Sequence, residues 1–318
     1  MKVAILGVWH VHAPDYTNKA LALGEVVGFY ERNDALAEAF NEKLGLHRFS
    51  TLDELLKSDA EGVIVCSATC DHASDIIKAA EAKKHIFTEK VLALTVEECN
   101  AVQEAVQRNG VELVISFFQK YLGSRIAVKS ICDSGELGRI NYLRFRNCHS
   151  GSIRNWLPAH FYDKRECGGG AMIDLGAHGM YLTEWILGTP VEASSAFTLT
   201  CDRGEVRAKN RDGVEDNAVT LMRFADGAIA VNETGFVSLY SPVILEVHGE
   251  RGYVRMEDER VVKCTESTGG KVTEVQIPPS MPLPIEQFLT GKVLPGCSIK
   301  EARALTVLMT LAYSGHEA

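Results

Sequence analysis

The chain has 318 residues, of which 46% are hydrophobic and 24% charged, and its formal net charge is −9. Such a composition is ordinary for a folded protein, and at roughly 150 residues per domain the length suggests two domains. The charges are interspersed, with no basic arm or stripe, so we expect neither nucleic acid nor a membrane surface as a partner. Because no run of about 18 apolar residues occurs and the first apolar run is too short for a signal sequence, we expect a cytoplasmic protein.

The nine cysteines do not form a recognisable framework. They are scattered, odd in number and include no CxxC pair, which argues against disulfides and against a structural zinc site. Reduced thiols in the cytosol are the simplest interpretation.

Short apolar runs alternate with helical patterns through the first 117 residues. The runs predicted as strands are Val3–Leu6, Val26–Tyr30, Val63–Cys66, His85–Phe87 and Leu113–Phe117. The segments predicted as helices are His12–Leu23, Ala35–Leu44, Leu52–Ser58, Ala73–Ala82 and Val96–Arg108. Apolar strands that alternate with helices indicate a parallel sheet covered on both faces. We therefore predict a doubly wound α/β domain over residues 1–118.

The pattern changes after about residue 120, where period-2 alternation becomes common. The predicted strands are Ile140–Asn147, Ala193–Thr200, Ala218–Phe224, Ala228–Thr234, Val243–His248 and Gly252–Glu257. The predicted helices are Ser124–Ser134, Gly176–Leu187 and Ile299–Tyr313. This predicts an α+β domain over residues 119–318, with a mainly antiparallel open sheet and helices on one face.

The first strand ends in a turn, Gly7 to His12, that leads into a helix. A dinucleotide-binding domain carries G-x-G-x-x-G at this place, where the second glycine lets the backbone approach the pyrophosphate. Only Gly7 matches, because Trp9 and His12 replace the second and third glycines. Free amides at a helix start still favour a phosphate, so Gly7, Trp9, His10 and Val11 are candidate cofactor contacts.

Glu31 follows the second strand, at the place where an acidic residue binds the adenosine ribose. A carboxylate there favours NAD, whereas the adjacent Arg32 could accept the 2′-phosphate of NADP. The alternative is a surface Glu–Arg pair in a turn.

His10 and His12 raise the question of a metal. Two histidines at i, i+2 do not share a helix face, and the sequence shows no third ligand nearby. We therefore expect polar lining or packing, and no metal.

Three further segments carry a family resemblance. Val63–His72 resembles the third-strand signature of the Gfo/Idh/MocA (glucose–fructose oxidoreductase/inositol dehydrogenase) family. Lys84–Leu94 is similar to its Glu-Lys-Pro motif, and Gly168–His178 to its Gly-Gly-Gly…Asp-x-Gly-x-His signature. The resemblance implies a Rossmann domain that binds NAD, with NADP as the alternative. It also implies cofactor contacts from Ser67, Ala68, Thr69, His72, Glu89 and Lys90.

The resemblance also assigns chemistry. It implies that Lys90 and His178 form an acid–base pair, that Glu89 lies near the nicotinamide ribose, and that Asp174 orients the imidazole or binds a second hydroxyl. Independently of the family, Asp174 and His178 are i, i+4 and share a helix face. A triple glycine before them allows close approach of a ligand or a neighbouring strand. A cleft between the domains would bring Lys90 and His178 together.

The chain departs from the family pattern at several positions. Val91 replaces the proline of the Glu-Lys-Pro motif, so we expect a trans Lys90–Val91 bond. Ala68 and Thr69 replace a Pro and an Asn. Trp9 is the largest departure, because its side chain should push the pyrophosphate outward or require a different turn.

The loop before the glycines is dense in Trp, His, Arg and Asn, which suits a polyhydroxylated ligand. Trp156, His160 and Tyr162 are the candidate substrate contacts, although such a loop is also typical of a solvent-facing connection.

These observations predict an NAD(P)-dependent oxidoreductase that acts on a CH–OH group of a sugar, inositol or related polyol. The alternatives are NAD-assisted elimination or glycosidic cleavage without net redox change, and a non-catalytic dinucleotide or sugar sensor. The family commonly forms dimers or tetramers, so a homodimer or homotetramer through the C-terminal sheet is expected.

Overall fold

The computed structural model describes residues 1–315, and the chain divides into two compact units. The first unit comprises residues 1–117 and 282–307, and the second comprises residues 118–281 and, of the described residues, 308–315. Segment 282–307 thus groups with the first unit, although the sequence pattern placed it beyond the boundary at residue 118.

A five-stranded parallel sheet forms the centre of the first unit, in the order β2-β1-β3-β4-β5. Its strands are β1 (Lys2–Leu6), β2 (Glu25–Tyr30), β3 (Gly62–Val65), β4 (His85–Thr88) and β5 (Leu113–Ile115). The helices between them are α1 (Ala13–Leu23), α2 (Asp34–Leu44), α3 (Leu52–Lys57), α4 (Thr69–Glu81) and α5 (Val96–Asn109). Every residue of β3 and β5 is buried, as expected where helices cover both faces. The doubly wound sheet is confirmed.

An eight-stranded sheet dominates the second unit, in the order β13-β12-β11-β10-β6-β9-β8-β7. Its strands are β6 (Ile140–Cys148), β7 (Glu192–Thr198), β8 (Asn217–Arg223), β9 (Ile229–Gly235), β10 (Ile244–Gly249), β11 (Gly252–Glu257), β12 (Arg260–Thr265) and β13 (Thr273–Glu274). Its helices include α6 (Gly123–Asp133), α7 (Lys164–Cys167), α8 (Ala177–Leu187) and α9 (Gly204–Lys209). The pairs are antiparallel except for β6 and β9, which are parallel. The mainly antiparallel sheet is confirmed.

One face of this sheet packs on helices and the other is open. Along β8, Ala218 and Met222 are buried whereas Val219 and Leu221 are exposed, which is the alternation of a half-buried strand. Helix α8 lies against β6 and β9, where the absence of a side chain at Gly179 admits the Asn232 side chain. The face that carries Val219 and Leu221 is not covered by α8.

The last two helices are α10 (Pro284–Thr290) and α11 (Ile299–Ser314). Helix α10 contacts α1 and β5, and its buried Phe288 ring lies 6.0 Å from the Phe87 ring of β4. The Ile115 amide donates a hydrogen bond to the Cys297 carbonyl at 2.9 Å. These contacts explain why segment 282–307 groups with the parallel sheet. No helix within residues 1–315 combines the length and the apolar character that a membrane span requires.

Candidate functional site

The first turn is built around Gly7. Its φ of +79° is unfavourable for other residues, and a Cβ atom there would lie 2.5 Å from the backbone N and Cα atoms of Ser67. The glycine is therefore required by the loop that follows β3.

The rest of the turn differs from a glycine-rich phosphate loop. Helix α1 begins only at Ala13, and the Trp9 side chain is buried rather than solvent-exposed. The Val8 amide donates to Glu31 at 2.7 Å, the His10 amide to the Cys66 carbonyl at 3.0 Å, and the His12 amide to His10 Nδ1 at 3.2 Å. Amides that would bind a phosphate in a glycine-rich loop are thus used within the protein.

Glu31 follows β2, as predicted, and is buried. One carboxylate oxygen accepts from Val8 and the other accepts from the Asn33 amide at 2.8 Å. Glu31 is therefore not the solvent-exposed residue of the surface-pair interpretation. Its neighbour Arg32 binds Asp75, which sequence reasoning missed.

Ser67, Ala68 and Thr69 lie where β3 meets α4. All three are buried, and Ala68 precedes the first turn of α4 without a side-chain cap. The Ser67 hydroxyl has no hydrogen-bond partner within the described structure. A buried polar atom without a partner calls for a ligand or water. This atom fits the predicted cofactor site.

His72 fixes the segment that carries Lys90. Its Nδ1 lies 2.9 Å from the Val91 carbonyl oxygen and its Nε2 lies 3.0 Å from the Ser67 carbonyl oxygen. Burial lowers the pKa of His72 and outweighs these two contacts, which favour the charged form. The Lys90–Val91 peptide bond is cis, so the expected trans bond is wrong. Lys90 itself is buried, with 6% of its surface exposed.

Glu89 is buried, and its carboxylate lies among histidine, lysine and hydroxyl groups. Its carboxylate contacts His12 Nδ1 at 3.0 Å, accepts from the Lys90 amide at 3.0 Å, and accepts from the Tyr16 hydroxyl. Burial by itself raises the pKa of Glu89, but His10, His12 and Lys90 hold that pKa well below its ordinary value. The charged form of the Glu89 carboxylate is therefore favoured. No motif or spacing singled out Tyr16, which lies one helical turn beyond His12.

His10, His12 and Glu89 bring together three potential metal ligands. The sequence showed no third ligand near His10 and His12, yet one ligand atom from each of His10, His12 and Glu89 lies within 4.8 Å of the others. Two imidazoles and a carboxylate are a donor set that divalent transition metals accept. The hydrogen bonds described above also satisfy the carboxylate without an ion.

The triple glycine of the second unit packs against Glu215. A Cβ atom on Gly170 would lie 2.0 Å from the Glu215 carbonyl oxygen. The buried Glu215 carboxylate accepts from the Gly170 amide at 2.9 Å, the Met172 amide at 3.0 Å and the Tyr313 hydroxyl at 2.8 Å. A close neighbour within the protein therefore accounts for Gly170, and Glu215 holds the start of the segment that carries Asp174.

Asp174 and His178 do not lie on one regular α-helix. Residues Met172–Gly176 form a π-helical turn that leads into α8, so the α-helical alignment of positions i and i+4 does not apply. His178 is buried, and its Nδ1 lies 2.9 Å from the Tyr181 hydroxyl. The Phe118 ring meets the imidazole edge-on, at 5.3 Å between ring centres. Tyr181 was missed, although its i, i+3 spacing from His178 was a usable signal.

The candidate substrate contacts in the loop before the glycines lie partly at the surface and partly in the core. Trp156 is 52% exposed, and its ring packs on His149 with 4.7 Å between centres. Tyr162 is buried, and its hydroxyl lies 2.9 Å from the Ser152 hydroxyl. His160 is partly buried. A cavity of about 760 Å³ in the second unit is lined by Ile153, Arg154, Asn155, Arg203, Gly204, Glu205, Val206 and Leu239.

Curated relatives share part of their length with this chain. It is 30% identical over 226 residues to scyllo-inositol 2-dehydrogenase (NAD(+)) of Bacillus subtilis, an alignment that covers 69% of the chain and 62% of the relative. It is 27% identical over 245 residues to myo-inositol 2-dehydrogenase of Thermotoga maritima, covering 76% of the chain and 70% of the relative. The chain thus spans 62 to 70% of the length of these two proteins.

Solved structures and family models cover more of the chain. A levoglucosan dehydrogenase in complex with NADH superposes with a TM-score of 0.83 at 20% identity, over 99% of this chain and 96% of that one, which shows a shared fold. Residues 1–117 match the model of the oxidoreductase family with an NAD-binding Rossmann fold. Residues 126–255 match the GFO/IDH/MocA C-terminal domain. With both halves matched to the same family, the chain belongs to the Gfo/Idh/MocA family of oxidoreductases.

Proposed function

We propose that the protein is an NAD(P)-dependent oxidoreductase that oxidises a secondary alcohol of a sugar, inositol or related polyol, or reduces the corresponding ketone. The observation that carries this proposal is the retention of Lys90 and His178 at the two motif positions, each buried and held by neighbours. Both curated relatives described above are inositol 2-dehydrogenases, which supports a cyclic polyol as the substrate class.

NAD, when bound, accepts the hydride that leaves the carbinol carbon. His178 would take the hydroxyl proton, because an imidazole suits a base near neutral pH. The Tyr181 hydroxyl contacts Nδ1 of this imidazole and would help to orient it. Lys90 would hydrogen-bond the reacting oxygen and stabilise the developing alkoxide through its positive charge. Asp174 would bind a second hydroxyl of the substrate.

The cofactor would be held by residues of the first unit. Gly7, Glu31 and the unpartnered Ser67 hydroxyl are the groups that fit a dinucleotide, and Glu89 would lie near the nicotinamide ribose. A buried carboxylate after β2 suits the ribose hydroxyls of NAD and repels a 2′-phosphate, so NAD is the proposed cofactor rather than NADP.

The experiment that tests this function is a panel of inositols, sugars and polyols incubated with NAD⁺, read by the near-ultraviolet absorbance of NADH and by mass spectrometry of the products. We expect NADH and a ketone in stoichiometric amounts from at least one cyclic polyol. Product formation without NADH would identify NAD-assisted elimination or cleavage instead. Cofactor binding without any product would instead favour a non-catalytic dinucleotide or sugar sensor.

We also propose that two or four copies assemble through the open face of the eight-stranded sheet. Val219, Leu221 and Ile229 lie on this face, and each is between 42 and 49% exposed. Monomers rarely leave such apolar groups together in water. Sedimentation equilibrium is expected to give a dimer or tetramer, which Leu221→Glu shifts towards monomer while Leu199→Glu does not. A monomeric wild-type protein at micromolar concentration would refute this assembly.

A further inference from the structure

Arg32 follows the proposed ribose-binding Glu31 directly in the chain, and Asp75 binds its side chain. Two guanidinium nitrogens of Arg32 donate to the two carboxylate oxygens of Asp75, with a distance of 3.0 Å for the Nη1–Oδ2 pair. The Asp75 side chain is fully buried. Asp71 lies one turn earlier on α4, with its Oδ2 3.8 Å from Arg32 Nη1. The contact is therefore bidentate and backed by a second carboxylate.

We propose that Asp75, assisted by Asp71, is a cofactor-specificity residue that withholds Arg32 from the 2′-phosphate of NADP. This inference rests on the proposed cofactor site. An arginine in this position is a good ligand for a phosphate, because its planar fork matches the phosphate oxygens. The sequence alone therefore leaves NADP open, whereas in the structure both terminal nitrogens of the Arg32 guanidinium donate to Asp75.

Electrostatics support this role. Hydrogen bonding to Asp75 raises the pKa of Arg32, so the guanidinium stays charged, but that charge faces the carboxylates of Asp75 and Asp71. Two carboxylates, those of Asp75 and Asp71, thus face one guanidinium. A 2′-phosphate that recruited Arg32 would compete with these two carboxylates for the guanidinium, and drawing the cation away would leave the buried Asp75 carboxylate unpaired, which is unfavourable.

The test compares two nucleotide probes by isothermal titration calorimetry: 5′-AMP and adenosine 2′,5′-bisphosphate. Wild type is expected to prefer 5′-AMP. The Asp75→Asn variant should bind the bisphosphate about tenfold more tightly, while its affinity for 5′-AMP changes by less than about threefold, because the released guanidinium gains a charge-assisted contact. The double variant Asp75→Asn/Arg32→Gln should lose this gain, since the proposed effect acts through Arg32.

Two further variants separate the proposal from simpler explanations. Asp53→Asn removes one negative charge from an exposed position on α3 and should leave the ratio of the two affinities unchanged. Asp71→Asn, at a partly exposed position, should shift the ratio in the same direction as Asp75→Asn by about threefold, which keeps the test valid if Asp75→Asn folds poorly.

The possible outcomes distinguish a failure of the proposed cofactor site from a failure of the proposed specificity role. If wild type binds neither 5′-AMP nor NAD⁺, the proposed cofactor site is wrong. If 5′-AMP binds but neither carboxylate variant changes the ratio, or if the gain persists without Arg32, the specificity role of Asp75 is overturned and the cofactor site stands.

Discussion

A Lys90→Met variant is expected to lose about three orders of magnitude in kcat/KM for the polyol while its affinity for NAD⁺ stays near the wild-type value. Methionine approximates the length of lysine but carries no charge, so the reacting oxygen would lose both its hydrogen-bond donor and its electrostatic stabilisation. The Lys90 backbone amide that holds Glu89 is retained in this variant. The loss therefore reports on the side chain.

Steady-state kinetics with the best substrate of the panel, together with calorimetric titration of NAD⁺, would measure this effect. Lys78→Met is the matched control, because Lys78 is exposed on α4. If the Lys90 and Lys78 variants have equal kinetic constants, Lys90 takes no part in the reaction. The proposed catalytic function would then lose its main support.

The His178→Gln variant is expected to lose between about 10² and 10³ in kcat/KM and to lose the acidic limb of its pH profile. A base must be deprotonated to accept a proton, so wild-type activity should fall at low pH, whereas glutamine does not titrate. Tyr181→Phe should cause a smaller loss, because it removes the hydroxyl at Nδ1 and keeps the imidazole. His47→Gln, an exposed histidine, is the control.

A double variant tests whether Lys90 and His178 serve the same transition state. If they do, combining Lys90→Met with His178→Gln should cost little more than the larger single loss, since residues that act as a unit are not additive. Losses that multiply would indicate two independent roles, and an unchanged acidic limb in His178→Gln would assign the base to another group.

Much of the first unit could be predicted from sequence because its signals are local. A buried parallel strand is a short apolar run, so β3 and β4 were recognisable from Val63–Cys66 and His85–Phe87, with bounds that shift by one residue. The antiparallel hairpins of the second unit were visible for the same reason. The parallel pairing of β6 with β9 was not, because side-chain alternation carries no information about strand direction.

The candidate site was likewise only partly predictable from the sequence. Motifs identified Lys90, Glu89 and His178, but the partners that set their environments lie far away in the sequence. The Glu215 carboxylate that holds Gly170 is 45 residues from it, and the Tyr16 hydroxyl is 73 residues from Glu89. Such contacts depend on tertiary packing. The π-helical turn at Asp174 also escaped prediction, because its residues follow no distinct periodicity.

The discontinuous first unit has a consequence for synthesis on the ribosome. Domains usually fold as they emerge, with the N-terminal one first. Here residues 1–117 leave the exit tunnel long before Phe288 and Cys297, which complete their packing on β4 and β5. Until residues 118–281 have been translated, the apolar surface of the parallel sheet that Phe288 covers in the complete chain therefore lacks this contact.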